Sequence, residues 1–412
     1  MNFNLLVLAI ILLVASIRSH WTLRRAVNPM PPITPPDAYP AVTVIRPIRD
    51  LDAGAEENIH AALDHGYPGA VETFFVFDDA TDPTLPLVRR ALASLPDSER
   101  ATAHILFSGA PPNQQTGKLH AMLAGFARAQ YDIIVFADSD IRPARDALTA
   151  LVATLTAADD VGSAFAPVVV TSALESAGDA GYALMLNGLY SPAAYLAMGR
   201  AHGRSPFIMG QFMALRRSAI TAIGGLESLE GQFVDDMYLG ELITKQGLRN
   251  QLSWQSVPFI QGGLDFGGFW RLYRRWIAFS QSGLRDGPGS VKRNSVYRGV
   301  LFGASLGLAV AAALLGVWAA AAVGLIAALT IVWSIGALHL RLGGAPMRPI
   351  HRAMALAILL LAPLIYLANA LDHDVVWRGR AYHLDGRSRL AVPVGLDAED
   401  KLKAAARARI DE

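Results

Sequence analysis

The stretch that decides the fold is IIVFADSD, which runs from Ile133 to Asp140. It begins with a continuous run of β-branched and aromatic residues, and such a run predicts a strand that is buried on both faces. The same order occurs upstream, where the run TFFVF ends at Phe77 and is followed by DDATD, from Asp78 to Asp82. Two apolar strands that each end in carboxylates indicate a sheet with a polar site along one edge.

Strands and helices alternate on both sides of these two runs, and we find no internal repeat. The predicted strands are 42–46, 73–77, 104–107, 133–136 and 163–170, and the predicted helices are 56–65, 85–95, 119–129 and 144–157. Apolar strands that are separated by helices predict an α/β fold with a mostly parallel sheet covered on both faces. Ligands of such sheets bind beyond the carboxyl ends of the strands, so the residues after each strand are the candidates for a site.

The composition is that of a water-soluble part joined to apolar segments. Of the 412 residues, 52% are hydrophobic and only 17% are charged, whereas about 25% are charged in a typical soluble domain. The net charge of +1 gives no basic signature of nucleic-acid binding, so no nucleic-acid partner is expected. The chain has no cysteine, which excludes disulfide bonds, zinc–thiolate sites and cysteine nucleophiles.

An apolar segment opens the chain. No basic residue precedes it, as one would in a signal peptide, which is the alternative interpretation; Arg18, Arg24 and Arg25 follow it instead. Residues 1–25 are therefore predicted to be an uncleaved transmembrane anchor, with the chain that follows in the cytoplasm. Residues 26–40 contain six prolines and are predicted to be a semi-rigid linker to a soluble domain that covers residues 41–298.

The second apolar region, 299–371, is predicted to form two to three transmembrane helices. Its first 42 residues contain no Asp, Glu, Lys or Arg, and residues 353–371 form a further apolar run. The loop at 341–352 is basic, and the segment at 372–412, which we interpret as a basic tail, carries Arg378, Arg380, Arg387 and Arg389 near its start. Both features favour the cytoplasm. Three full crossings would put the tail outside, so one segment is re-entrant or lies in the interface, or the tail is on the outer side; the sequence leaves this open.

The Asp138-Ser139-Asp140 cluster is the sharpest chemical signal. Neighbouring carboxylates repel each other unless a cation or a hydrogen-bonding ligand is bound, and a few oxygen ligands suit Mg²⁺ or Mn²⁺ shared with substrate phosphates. The alternative is that such Asp residues only cap helices. Asp78-Asp79-x-x-Asp82 also matches the DDxxD motif of isoprenoid synthases, but that motif lies on a helix and here it follows a strand-like run.

Three segments later in the chain are further candidates for a functional site. Asp235-Asp236 opens an amphipathic helix, where a carboxylate can act as an N-cap or as a catalytic group. Residues 269–276, FWRLYRRW, have the pattern of an interfacial aromatic helix or of a phosphate clamp near the membrane. The apolar but interrupted stretch 181–198 is interpreted as an interface segment that receives a lipid, with a buried core helix as the alternative.

These features, in this order, resemble family 2-like inverting glycosyltransferases with a GT-A fold. The sequence is most similar to the ceramide glucosyltransferase family, family 21, which includes hopanoid glycosyltransferases. The VIRPIRDLDAGAEENI and VVWRGRAYHL segments resemble its first strand and its ending. Leu272 stands where the family's (Q/R)xxRW motif has Gln or Arg. The matching residues are Asp79 in VFDDATD, Asp138 in FADSDI, Asp236 in FVDDMYLG, and Arg275 and Trp276 in LYRRW.

The resemblance implies a GT-A glycosyltransferase domain at 41–298 and a role for each matching residue. Asp236 would be the general base, and Asp138 and Asp140 would bind ribose and a divalent metal, Mg²⁺ or Mn²⁺. The remaining residues would contact the nucleotide sugar: Asp79 the uracil or ribose, Lys118 the nucleotide, Arg275 the diphosphate, and Trp276 the acceptor or base pocket.

The implied function is inverting transfer of a sugar from a UDP-sugar to the hydroxyl of a membrane lipid, with ceramide as the first choice. A hopanoid N-acetylglucosaminyltransferase is the alternative within enzymes, and a catalytically silent membrane scaffold is the alternative outside them. A processive polysaccharide synthase would need more transmembrane spans and a Gln in place of Leu272. The expected location is the bacterial inner membrane, multi-pass, with the catalytic domain in the cytoplasm.

Overall fold

The architecture is an α/β domain flanked by long apolar helices. The computed structural model describes residues 2–391 except 35, 37, 203, 205, 207, 286–288 and 386–388. The basic tail predicted for 372–412 therefore falls in part outside the described residues. Among those described, the strands are β1 Val42–Ile48, β2 Val71–Phe77, β3 Ala103–Phe107, β4 Ile133–Ala137, β5 Val161–Phe165, β6 Val168–Val169, β7 Phe212–Arg216, β8 Arg249–Leu252, β9 Val257–Pro258, β10 Asp374–Trp377 and β11 Arg380–His383.

Seven of these strands form the central sheet, in the order β3-β2-β1-β4-β7-β5-β8. Strands β3, β2, β1 and β4 pair in parallel, as do β5 and β8, so the predicted mostly parallel α/β sheet is confirmed. Strand β7 differs, because it runs antiparallel between β4 and β5. The strand predicted at 163–170 is divided at Pro167, since proline has no N–H to donate to a ladder.

The helices cover both faces of the sheet and extend beyond it. Within the described residues they are α1 Asn2–Ala26, α2 Ala55–Leu63, α3 Leu85–Ala93, α4 Asp97–Arg100, α5 Gly117–Phe126, α6 Ala147–Thr156, α7 Ala177–Met185, α8 Ser191–Ala201, α9 Arg217–Ala222, α10 Asp235–Lys245, α11 Phe266–Arg285, α12 Gly289–Leu314, α13 Trp318–Arg341 and α14 Pro349–Leu371. A π-helical turn at Leu186–Tyr190 joins α7 to α8.

The main core lies between the sheet and its helices. The side chains of Ile134 and Phe136 in β4 are fully buried, as are Leu119 of α5 and Leu151 of α6. Helix α5 packs closely on β1, because Gly125 leaves no side chain between its backbone and Ile45. This packing fixes the start of α5 beside the carboxyl ends of β1 and β4.

Four of the described helices are long and apolar enough to cross a membrane: Asn2–Ala26, Val296–Leu314, Trp318–Arg341 and Pro349–Leu371. Helices α1, α12 and α13 pack on one another, and α14 packs on α7, α11 and α13. Helix α13 also contacts α7 and the π-helical turn. Helix α12 begins before residue 299, so the boundary predicted between the soluble and apolar regions falls inside a helix.

The segment predicted to receive a lipid, 181–198, is mostly interior. Residues from Gly181 to Gly188 are buried in the described structure, and a Cβ on Gly181 would meet Met354 of α14 and Phe269 of α11. Its first half therefore matches the buried-helix alternative. Tyr190, at the end of the π-helical turn, is half-buried.

Replacing Gly125 with Ala tests the contact between α5 and β1. A Cβ there would lie 2.5 Å from Cγ2 of Ile45, and such overpacking costs about 1–3 kcal/mol. We expect a lower unfolding temperature for Gly125→Ala in detergent. Gly199→Ala is the matched control, because nothing lies within 4 Å of its Cβ position and alanine favours a helix. An unchanged unfolding temperature for Gly125→Ala would contradict the packing described here.

Candidate active site

A cavity of about 500 Å³ opens at the carboxyl edge of the sheet. The strand ends, the first turns of α5 and α10, helix α11 and the β10–β11 hairpin all contribute to its wall. A concentration of acidic groups is its main chemical feature, and the carboxylates that line it are Asp52, Asp78, Asp138, Asp140, Asp235 and Asp236. Such a concentration is stable only if cations or hydrogen-bond donors face it.

The two aspartates that follow β4 are each paired with a cation. Oδ1 of Asp138 lies 2.6 Å from Nζ of Lys118, and Oδ2 of Asp140 lies 3.2 Å from Nη2 of Arg378. Oδ1 of Asp140 is buried and has no hydrogen-bond partner among the described residues. Burial and the nearby charge of Asp52 raise the pKa of Asp140 to about 7. The Asp138–Asp140 pair therefore lacks the positive charge that would fully satisfy it.

This unsatisfied oxygen fits a divalent cation. The described residues contain no group of three or more His, Asp or Glu side chains that could hold a metal alone. Mg²⁺ and Mn²⁺ sites that handle phosphates commonly use one or two carboxylates and take the other ligands from substrate and water. Asp138 and Asp140 suit a site of that kind, with Oδ1 of Asp140 available as a ligand.

Lys118 links the Asp138 carboxylate to the loop before β7. It lies in the first turn of α5, where the Thr116 hydroxyl caps the helix by accepting a hydrogen bond from Leu119 N. Besides its ion pair, Nζ donates to the carbonyl of Gly210 at 3.1 Å. Burial alone would lower the pKa of Lys118, but the nearby carboxylates of the cavity outweigh burial and hold it above the usual value.

Asp236 lies in the first turn of α10, against the same loop. Its Oδ2 accepts a hydrogen bond from the backbone N–H of Gly210 at 2.9 Å. A Cβ on Gly210 would lie 2.6 Å from Cβ of Asp236, so only glycine allows this approach. Burial, and then the charge of neighbouring Asp235, raise the pKa of Asp236 to about 6. A carboxylate with such a pKa is suited to accept a proton near neutral pH.

Helix α11 brings Arg275 and Trp276 to the opposite wall. The Arg275 guanidinium lies 5.8 Å from the ring centre of Trp377, and its Nε has no partner among the described residues. Burial lowers the pKa of Arg275 to about 10, so it remains a cation at neutral pH. The ring of Trp276 lies 5.1 Å from that of Tyr190. Leu272, which stands where the (Q/R)xxRW motif of the family that the sequence resembles has Gln or Arg, also lines the cavity.

Asp79 is the predicted residue that the structure does not bring to the cavity wall. Its Oδ1 accepts hydrogen bonds from the backbone N–H and the hydroxyl of Thr81, in an exposed turn. Asp78 lines the cavity instead and is paired with Arg49 and Arg380. Asp78 directly follows the last residue of β2, and this position nearest the sheet edge was the signal that could have distinguished the two.

Sequence reasoning also missed a buried cation beneath the aspartates. Arg46 of β1 is 1% exposed, and its Nη2 donates to the carbonyls of Ser139 and Ile141 at 3.2 and 2.9 Å. Burial lowers its pKa to about 10, although Asp140 and Asp138 act in the opposite direction. A single arginine inside the apolar run VTVIRPI was the available signal. It holds the loop that carries both aspartates.

The last missed group is the hairpin formed by β10 and β11. Four of its residues line the cavity, namely Trp377, Arg378, Arg380 and Tyr382. The sequence of this segment indicates only a resemblance to a family ending and predicts no role in the site. Nothing in its local pattern indicates that it folds back onto residues more than two hundred positions earlier.

The sequence is similar to those of known ceramide glucosyltransferases. Ceramide glucosyltransferase 1 of Caenorhabditis elegans is 22% identical over 281 residues, which are 66% of this chain and 55% of that protein. The ceramide glucosyltransferase of Candida albicans is 29% identical over 116 residues, which are 26% of this chain and 21% of that protein. The matched region thus spans about half, or less, of the length of these relatives.

A solved structure shares the fold. The mannosyltransferase PcManGT of Pyrobaculum calidifontis, in complex with GDP-Man and Mn²⁺, superposes with a TM-score of 0.50 at 20% identity. The match covers 88% of this chain and 99% of that one. The family model for glycosyl transferase family 21 matches residues 4–390, which is nearly the whole sequence. The chain therefore belongs to glycosyltransferase family 21.

Proposed function

We propose that the protein transfers a sugar from a UDP-sugar to the hydroxyl of a membrane lipid, with inversion at the anomeric carbon, and that ceramide is the acceptor. The observation that carries the proposal is the single cavity in which Asp138, Asp140 and Asp236 face Lys118 and Arg275. A catalytically silent scaffold has no need for a buried base and buried cations around one cavity, because each is costly to desolvate.

The chemistry needs one base and a stabilised leaving group. Asp236 takes the proton of the acceptor hydroxyl, and the oxygen attacks the anomeric carbon from the face opposite the diphosphate. The bond between that carbon and the diphosphate oxygen breaks, and its electron pair leaves with UDP. Lys118 and Arg275 face the developing charge as fixed cations. One displacement inverts the configuration, so a second catalytic carboxylate is not required.

Asp138 and Asp140 are the residues we propose to hold the divalent metal, Mg²⁺ or Mn²⁺. When bound, such an ion supplies Lewis-acid stabilisation of the leaving diphosphate. The unpartnered Oδ1 of Asp140 supports this assignment. We assign to Asp78 the contact with uracil or ribose that the family resemblance implies for Asp79, because Asp78 is the one that lines the cavity.

The apolar wall of the cavity supports a lipid acceptor. Tyr190, Leu272, Trp276 and Phe279 line the side formed by the π-helical turn and α11. Helix α11 packs on α7 and α14, and the latter is one of the helices apolar enough to enter a membrane. A catalytic domain held beside the bilayer at both of its ends meets lipid hydroxyls at high local concentration.

The position of the β10–β11 hairpin supports a definite membrane topology. Because the hairpin lines the catalytic cavity, the start of the tail lies on the same side as the α/β domain. Three full crossings after that domain would put it on the other side. Helix α14 is the one we assign to the interface, because it is the last apolar helix before the hairpin and is tied to α11, whose Tyr273 Oη donates to the Ile358 carbonyl at 3.1 Å.

With α1, α12 and α13 crossing, the basic loop at 341–352 and the start of the tail both face the cytoplasm, as positive residues favour. The catalytic domain then faces the cytoplasm as well. A bacterial inner membrane is the location we propose.

Asp236→Asn tests the proposed base. Loss of general-base catalysis costs about 10²–10⁴-fold in rate, so we expect turnover of a labelled UDP-sugar onto lipid to fall by that factor. Asp97→Asn is the matched control, because the Asp97 side chain is 98% exposed. The assay should compare ceramide with a hopanoid alcohol, and UDP-glucose with UDP-N-acetylglucosamine. Wild-type turnover in Asp236→Asn would refute the base assignment, and product on the hopanoid alone would move the acceptor to that lipid.

The pH dependence of the reaction follows from the same carboxylate. Asp236 must be ionised to act as a base, and its pKa is raised to about 6. Because a raised pKa keeps the group protonated to a higher pH, kcat/KM should fall as the pH drops through about 6 and should level off above about 7. A rate profile that stays flat between about pH 5 and pH 8 would be inconsistent with Asp236 as the base.

Single-cysteine labelling tests the topology, since the natural chain has no cysteine. Cysteines would replace Leu315, Pro346 and His373, which are exposed and lie after α12, before α14 and after α14. A membrane-impermeant maleimide added to intact cells should label position 315 only. In inside-out vesicles it should label positions 346 and 373. Labelling of 373 from the same side as 315 would show that α14 crosses the membrane.

A further inference from the structure

The hairpin after the last apolar helix places two arginines among the acidic groups of the cavity. Its turn is formed by Arg378 and Gly379, both with positive φ, at 51° and 70°. Such values are common for glycine but uncommon for arginine. Nη1 of Arg378 lies 2.5 Å from Oδ1 of Asp52, and Nη2 lies 3.2 Å from Oδ2 of Asp140. The unusual backbone conformation coincides with a side chain directed at two carboxylates.

Arg380 reaches a third carboxylate by passing close to the start of α5. Its Nη2 lies 2.7 Å from Oδ2 of Asp78. A Cβ on Gly117 would collide with the Arg380 guanidinium, so glycine at that position leaves room for the arginine. The backbone N–H of Gly117 donates to the hydroxyl of Tyr382 at 3.3 Å. The hairpin is thus fitted to the helix turn that carries Lys118.

An aromatic cluster holds the hairpin in place. The ring of Trp377 lies 6.1 Å from that of Phe233 and 6.0 Å from that of Phe279, and Tyr382 lies 5.6 Å from Phe233. These contacts bury the apolar side of the hairpin independently of its arginines. The guanidinium groups are therefore free to change partner without release of the hairpin.

We infer that Arg378 and Arg380 bind the diphosphate of the nucleotide-sugar donor, and that Arg378 gives up Asp140 to a divalent cation when it does so. The inference rests on the proposed function. A guanidinium binds carboxylates and phosphates with the same bidentate geometry, so exchange of one for the other preserves its hydrogen bonds. The exposed fractions of the two side chains, 30% and 21%, keep them accessible from the cavity.

Charge balance favours this exchange. In the ligand-free site Arg378 is shared between Asp52 and Asp140, whereas Asp78 is paired with both Arg380 and Arg49. A divalent cation and a diphosphate carry opposite charges, so their joint arrival leaves the net charge of the cavity unchanged. The cation takes the carboxylate of Asp140, and the released guanidinium meets the phosphate. No buried charge is left without a partner at the end of the exchange.

Two binding measurements on the detergent-solubilised full chain test the inference. UDP affinity, measured by titration calorimetry with Mn²⁺ present, should fall by about 10- to 100-fold in Arg378→Ala and in Arg380→Ala, as expected for loss of a charge-assisted hydrogen bond. Mn²⁺ alone, followed by electron paramagnetic resonance, should bind Arg378→Ala at least as tightly as the wild type, because a competitor for Asp140 is gone. Arg389→Ala is the control, with an exposed side chain in the same segment.

The outcomes separate the two proposals. If wild-type protein binds no UDP, the proposed donor is wrong. If it binds UDP and both alanine variants bind it equally well, the inference about the arginines is wrong and the proposed function stands. If Arg378→Ala loses affinity for UDP and for Mn²⁺ together, Arg378 only holds the site in shape, and the exchange is likewise refuted.

Discussion

Charge balance at one edge of the sheet is the constraint on which the rest of the structure depends. The parallel strands deliver several carboxylates to one cavity, and each must meet a cation or a donor. Lys118 in the first turn of α5 pairs with Asp138, and Arg378, which follows the last apolar helix, pairs with Asp140. Arg46, inside the sheet, holds the loop that carries both aspartates by donating to the Ile141 carbonyl. The C-terminal hairpin supplies two of the cations, and Gly117 leaves room for one of them, Arg380.

Much of the fold could be predicted because the deciding signals are local. The apolar runs that became β1, β2 and β4 have a clear strand pattern, and their alternation with helices indicates a parallel sheet. Strand β7 was missed because its sequence FMALR suits a helix equally well. Its antiparallel position between β4 and β5 is decided by pairing partners that no local pattern reveals.

For the candidate site too, residues with a local sequence signal could be predicted and residues that depend on distant contacts could not. Asp138, Asp140 and Asp236 could be found because each lies directly after a strand or at a helix start, where topology concentrates function. Asp78 could be preferred to Asp79 only because it directly follows the last residue of β2, since the turn then directs the two neighbouring side chains differently. Arg378 and Arg380 could not be assigned at all, because their contacts with Asp52 and Asp78 span more than three hundred residues.

The hairpin that completes the cavity has a consequence for how the protein is made. Asp236 and Arg378 lie on opposite sides, in sequence, of the apolar helices α12, α13 and α14. A ribosome delivers the α/β domain first, so that domain folds with one wall of its cavity missing. In the topology that we propose, that wall is completed only after the apolar helices have entered the membrane and the tail has returned to the domain. Correct membrane insertion thus becomes a condition for a finished site, and a nascent chain released early carries its acidic cluster without two of the arginines that neutralise it.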